Sequence, residues 1–220
     1  MDIEISGIKL KSSFQLTDEQ TAVLYQLIKF FNTPVNPEID ETYLLTLSGS
    51  AGTGKTSLLK LLIGYNNKLS IERKKILGAS LTHKARKVLD HTINKNLVIK
   101  MPTATVAAIL KKKKLASYIG SKKYTGTGTI IGDFDLILID EVSMVADRDF
   151  NEIVRWAQLY RTKILFIGDQ AQIPHPIQEL VVFEGKLEKR DSLGFSVKNR
   201  QHLTVIKRQG LENPITLIYF

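Results

Sequence analysis

The chain has 220 residues, with 31 Lys or Arg against 22 Asp or Glu and a net charge of +9. That length suits one α/β domain, with or without an insertion, and argues against two full domains. The lack of cysteine excludes disulfides and thiolate metal sites, and no apolar run approaches the ~18 residues of a membrane span. A soluble, cytoplasmic protein with no membrane partner is expected. The charge is uneven: residues 60–125 hold sixteen Lys or Arg against Glu72 and Asp90, a local balance of +14 that leaves the remainder at −5. Such a block is either a surface that holds a polyanion or a solvated lysine-rich face, and charge alone does not separate the two.

In chain order, residues 1–15 form an N-terminal arm without a strong signal, in which Ile3, Ile5 and Ile8 fit a short edge strand. The main domain, 16–220, opens with Leu16-Thr17-Asp18-Glu19-Gln20. From there Ala22, Leu24, Leu27, Ile28 and Phe31 supply the apolar side of a helix that runs to Asn32. Thr17 and Gln20 have capping-box spacing. An adenine-reading role for the Gln20 amide has the same spacing, so both readings stay open. Pro34, Asn36 and Pro37 break the chain before the β-prone run Tyr43–Leu47.

Gly49-Ser50-Ala51-Gly52-Thr53-Gly54-Lys55-Thr56 then matches the phosphate-binding loop GxxxxGK[ST] at every fixed position, between that strand and the helix-compatible run Ser57–Ile63. Glycines let successive amides turn toward one anion, and the following helix N-terminus adds its positive dipole end. ATP is the expected ligand. Lys55 would reach the β- and γ-phosphates and Thr56 would place its hydroxyl on Mg²⁺.

Asn66-Asn67 and Glu72-Arg73-Lys74 read as a turn, Lys75–Ser80 as a second strand, and Thr82-His83-Lys84-Ala85 as a helix start with Thr82 as N-cap. Thr103–Leu110 reads as a short third helix entered from Pro102. Lys111-Lys112-Lys113-Lys114, Tyr118, Tyr124 and Gly126–Thr129 make residues 111–131 look like an inserted basic hairpin. Asp135–Glu141 and Lys163–Asp169 are apolar runs that end in acids, as central parallel strands do, with a helix over Asp149–Leu159 between them. Strand C-terminal ends are where open α/β sheets place ligands. Asp140 is therefore the candidate metal acid, Glu141 the group that orients and deprotonates the attacking water, and Asp169 a further member of the nucleotide site. Asn213–Phe220 reads as the first turns of a helix with no stop signal, so a continuation or a cut is expected there.

The ordered set of motifs resembles the N-terminal motor domain of superfamily 1 DNA helicases, of the RecD/Dda-like branch. It comprises Leu16–Gln20, Gly49–Thr56, Thr82–Ala85, Asp140-Glu141-Val142-Ser143-Met144, Gly168-Asp169-Gln170-Ala171-Gln172-Ile173-Pro174 and Leu203–Gln209. The resemblance implies a RecA-like P-loop NTPase domain, a parallel sheet flanked by helices, that hydrolyses ATP with Mg²⁺ and moves 5′-to-3′ along single-stranded DNA. It implies that Gln20 reads adenine, Gln172 senses the γ-phosphate, Arg208 contacts it, and Thr82, His83, Lys84 and Thr105 lie along the DNA with Lys111–Lys114. The insertion at 111–131 stands where relatives carry a strand-separating pin. A second RecA-like domain or subunit would complete the motor, and a lone first domain should hydrolyse slowly. Two rival readings are a non-motor nucleic-acid module that uses ATP only as a switch, and a phosphate-loop ATPase of another family. The chain departs from the family where Ser80-Leu81-Thr82 replaces Ala-Pro-Thr and Thr105-Val106-Ala107 replaces Thr-x-His.

Overall fold

The structure of the protein, a computed structural model, describes residues 2–5, 7–11, 15–69, 72–95, 97, 99–110, 129–172, 180–183, 186–189 and 191–206. Among them, six parallel strands form the central sheet: β3 (Leu44–Gly49), β4 (Ile76–Ser80), β5 (Thr103–Thr105), β6 (Leu136–Ile139), β7 (Lys163–Gly168) and β10 (Arg200–Leu203). Their spatial order is β10-β3-β7-β6-β4-β5. Two antiparallel hairpins lie outside it, β1 (Asp2–Ile5) with β2 (Ile8–Lys11) and β8 (Leu180–Phe183) with β9 (Lys186–Lys189). The helices are α1 (Asp18–Asn32), α2 (Lys55–Lys68), α3 (His83–Asn94), α4 (Val106–Ile109) and α5 (Asp147–Tyr160).

Strand side chains alternate between faces, and both faces are covered. Leu45, Leu47, Leu136, Leu138, Leu165 and Ile167 join α1, α2, α3 and the β1–β2 hairpin in one core cluster. Leu44, Leu77, Ile137, Ile139, Ile164 and Phe166 join α4 and α5 in the other. Burial on both sides explains why the predicted strands read as unbroken apolar runs.

α1 starts as the sequence predicts. Thr17 Oγ1 accepts from the Gln20 amide at 3.0 Å, and Gln20 Oε1 accepts from the Thr17 amide at 3.1 Å. Residues 103–105 differ from the expected helix. They extend and pair with Gly78–Ser80 of β4, and the helix begins only at Val106 with Thr105 as its N-cap. Two β-branched threonines after a proline favour the extended form when a partner edge is present. Asn66 and Asn67 are helical, not a turn, and the buried Asn66 side chain accepts from the Lys74 amide at 2.8 Å and donates to the Lys74 carbonyl at 2.9 Å. β10 goes beyond the reading of the sequence, whose Arg-Gln-His-Leu pattern carries no strand signal. Of the hairpin expected at 111–131, residues 111–128 lie outside the described residues, as does the helix expected from Asn213.

Candidate functional site

Because all six strands run the same way, the segments leaving β3, β4, β5, β6 and β7 emerge along one edge, and the candidate residues gather there. The phosphate loop leaves β3 at Gly49, whose φ is +151°. A Cβ there would lie 2.6 Å from the Leu203 carbonyl oxygen and 2.9 Å from Thr53 Oγ1. Gly54, at φ +97°, caps α2, and a Cβ on it would lie 2.5 Å from Gln20 Nε2. At both positions the backbone angle and the close neighbour require glycine. Inside the loop the buried Thr53 donates from Oγ1 to Ser50 O at 2.9 Å.

Lys55 opens α2, and its ammonium donates to the carbonyls of Gly49 and Ser50. Burial pulls its pKa below the ordinary lysine value, while the charges of Asp169 and Asp140 oppose that shift. The two strand-end acids thus act on the loop lysine from β7 and β6. Asp140 follows β6, its amide donating to Ala79 O at 2.9 Å. Its carboxyl is raised above the usual range, first by burial. The Glu141 amide, 3.0 Å from Asp140 Oδ1, and Lys55 act against that, and the Glu141 charge adds to it. Glu141 has left-handed backbone angles, φ 59° and ψ 45°, which cost a non-glycine residue on the order of 1–3 kcal/mol and occur most at functional sites. Val142 and Ser143 behind it are buried and hold the turn.

Asp169 Oδ1 accepts from the Ala171 amide at 3.0 Å, and the Gln172 amide donates to Asp169 O at 3.1 Å. Ser143 Oγ donates to Gln172 Oε1 at 3.4 Å, a link between the two acidic motifs that spacing does not show. Gln20, only 2% exposed, donates from Nε2 to the Thr53 carbonyl at 2.8 Å, so the capping residue also grips the phosphate loop. Thr56 sits exposed on the first turn of α2. Thr56 and Asp140 present a hydroxyl and a carboxylate, an all-oxygen pair suited to Mg²⁺ completed by phosphate and water oxygens. Among the described residues no group of three His, Cys, Asp or Glu side chains forms a metal cluster.

The candidate DNA residues divide. Thr82 caps α3 by accepting from the Ala85 amide at 3.1 Å, and Thr105 caps α4 by accepting from the Ala108 amide at 3.1 Å. Ser80 and Thr105 are register partners, so Thr82 and Thr105 stand at neighbouring strand ends. Thr82, His83 and Lys84 are exposed, and Thr105 is buried. The buried Ser80 hydroxyl has no hydrogen-bond partner among the described residues. Arg208, Lys111–Lys114, Tyr118, Tyr124, Ile173 and Pro174 lie outside the described residues. The described helices include none long and apolar enough to cross a membrane.

A parallel sheet with helices on both faces, a phosphate loop after its first strand and acids after two neighbouring strands define a RecA-like P-loop NTPase domain. A family model described as an AAA domain matches residues 38–211, and the chain belongs to that family. Over 176 residues it is 27% identical to uncharacterized protein R530 of Acanthamoeba polyphaga mimivirus, covering 74% of this chain and 34% of that protein. The same fold occurs in the Pif1 helicase from Bacteroides, with a TM-score of 0.58 at 21% identity over 94% of this chain and 46% of that one. A structure of Bacteroides Pif1 bound to single-stranded DNA gives a TM-score of 0.51 at 20% identity, over 94% and 45% of the two chains. The chain therefore spans about a third of the viral relative and under half of these helicases.

Proposed function

We propose that this chain is the ATP-hydrolysing motor domain of a DNA helicase, working with Mg²⁺ on single-stranded DNA. The observation that carries this reading is the placement of Asp140 and Asp169 at the ends of the neighbouring strands β6 and β7, next to β3, which the phosphate loop and Lys55 follow. Such a set binds a triphosphate and a cation together.

The amides of Gly49–Thr56 and the first turn of α2 bind the phosphates, and Lys55 turns from its loop carbonyls to the β- and γ-oxygens. Thr56 and Asp140 would hold Mg²⁺, which would neutralise charge on the phosphates. Glu141 orients the attacking water and takes its proton. Gln172 senses the γ-phosphate, Asp169 lies beside it, and Arg208 neutralises charge developing there. Gln20 reads adenine with the second hydrogen of an amide whose first is used on Thr53. Thr82, His83, Lys84 and Thr105 track DNA phosphates along the strand ends, with Lys111–Lys114 of the 111–131 insertion beside them. Residues 16–220 form one RecA-like unit after the arm 1–15, and a second such domain or subunit completes a 5′-to-3′ motor. By itself this domain hydrolyses slowly, because a charge-neutralising arginine supplied from elsewhere speeds such reactions.

Two variants test the site. Lys55→Ala should weaken a fluorescent ATP analogue about tenfold or more, through loss of a charge-assisted contact. Glu141→Gln should keep that affinity and lower turnover by roughly 10²–10⁴, the scale of a general base. Turnover should rise with added oligothymidine. Parent-like hydrolysis by Glu141→Gln overturns its role, and turnover indifferent to DNA favours a switch module or another kind of ATPase.

A further inference from the structure

The strands begin along the edge of the sheet opposite the candidate nucleotide site, and a cavity of about 320 Å³ opens there. Lys75 and Ile76 enter β4 beside it, Met101 and Pro102 lead into β5, and Phe134 precedes β6. The last two turns of α2 contribute Ile63 and Asn66. From Ile76 to Ser80 the strand rises ~13 Å, at ~3.3 Å per residue, so this cavity is separate from the edge that carries Lys55, Thr82 and Asp140.

Its wall and its mouth differ in chemistry. Ile63, Ile76 and Met101 are buried, Phe134 is half-buried and Ile99 is 39% exposed, which gives an apolar interior open to solvent. Polar groups in the wall are already used: the Asn66 side chain bonds the Lys74 amide and carbonyl, and Asn67 Nδ2 donates to Ile99 O at 3.1 Å. An inserted group therefore gains most by being apolar. Around the mouth Arg73, Lys75 and Lys100 are exposed, and among the described residues none of them is ion-paired. Lys74 is committed elsewhere, its ammonium donating to Phe31 O. Two acids stand nearby, Glu72 and Asp135. Their charges act on Lys74, Asp135 also accepts from the Lys75 amide at 2.7 Å, and neither acid lines the cavity.

These two halves select a ligand class. A nucleic-acid backbone supplies charge but nothing apolar to insert, and a nucleotide brings a base whose polar edge would go unpaired in this interior. A fatty acid brings a single carboxylate, too few for this mouth. A peptide with several carboxylates beside a large apolar side chain satisfies the mouth and the interior together. We propose that this cavity is a docking site for an acidic peptide segment of a partner protein, which inserts one aliphatic or aromatic side chain and sets its carboxylates on Arg73, Lys75 and Lys100. The proposal is independent of the ATP reading, and it gives a role to cations of the 60–125 block that lie away from the strand ends.

The test uses the whole chain and a short fluorescein-labelled peptide of aspartates ending in leucine and phenylalanine, read by anisotropy. Replacing its leucine and phenylalanine by alanine, or its aspartates by asparagine, should each weaken binding about tenfold or more. Arg73→Gln combined with Lys100→Gln should weaken the original peptide about tenfold, and Ile99→Ser about threefold. In these variants the melting temperature should hold, and affinities for an ATP analogue and for oligothymidine should stay within about twofold of the parent, as expected for distant sites. Amide shifts in the parent need no variant: the peptide should move Asn67, Lys75, Ile99 and Lys100 and leave Lys55 and Asp140 in place. A peptide that binds equally well without its apolar residues would make this a solvated basic face and overturn the proposal. Displacement of the peptide by oligothymidine, with the double variant losing both, would assign the cations to DNA and overturn it too. So would shifts confined to other residues, or no binding at all.

Discussion

Gln20 closes the cap of α1 through Oε1 and holds the Thr53 carbonyl through Nε2. The first contact follows from Thr17-x-x-Gln20 spacing. The second joins residues 33 apart and has no local signature. Gln20→Glu keeps the acceptor for Thr17 but turns a carboxylate oxygen toward the Thr53 carbonyl in a buried site. The expected cost is about 1–3 kcal/mol, or roughly 2–10 °C in melting temperature for a domain of this size. ATP should weaken more than GTP, because the change removes the amide donor offered to adenine as well as disturbing the loop. Thermal unfolding with paired nucleotide titrations checks this. An unchanged melting temperature would show that the Thr53 contact contributes little.

At the scale of elements, the C-terminus of α1 rests on two lysines from other parts of the chain. Lys163, at the start of β7 and 4% exposed, donates to the carbonyls of Phe30, Phe31 and Thr33. Lys74 donates to Phe31 O and lies 4.4 Å from the Phe31 ring centroid. Burial, and secondarily the Lys74 charge, lowers the Lys163 pKa from 10.5 to about 7. The native group therefore gives up its proton before the unfolded one does. Below about pH 7 both states are protonated and the buried charge weakens the fold. Between about 7 and 10.5 the unfolded state binds more protons, so stability rises with pH. One such proton gives a slope of up to about 1.4 kcal/mol per pH unit. Urea unfolding from pH 6.5 to 9 should show this slope in the parent and a flatter one in Lys163→Met. Equal slopes would place the Lys163 pKa near that of a free lysine.

For the molecule as a whole, the local +14 over 60–125 belongs to a region that includes α3, whose exposed His83 and Lys84 stand at the site edge of the sheet. If that edge tracks single-stranded DNA, affinity for oligothymidine should fall with salt by a log–log slope of ~0.7 per phosphate contacted. Lys84→Gln should flatten the slope by about that amount, and replacing all of Lys111–Lys114 by glutamine should flatten it further. Fluorescence anisotropy across a salt series measures both, and unchanged slopes would return these lysines to a solvated face.

Much of this protein was legible before folding. The phosphate loop, the acids after β6 and β7, and the start of α1 depend on residues within a few positions of one another, whose chemistry spacing alone reveals. Apolar runs buried on both faces announced β3, β4, β6 and β7. β5 and β10 were not legible, because Thr-Ala-Thr and Arg-Gln-His-Leu become strands only when an edge of β4 or β3 stands beside them. The contacts that assemble the site were likewise decided by tertiary structure: Gln20 on Thr53 and Ser143 on Gln172. Each brings together groups 29 to 33 residues apart, and such pairings exist only once the sheet order has set which segments are neighbours. The sequence determined which chemical groups are present at the strand ends, and the parallel sheet decided which of them meet.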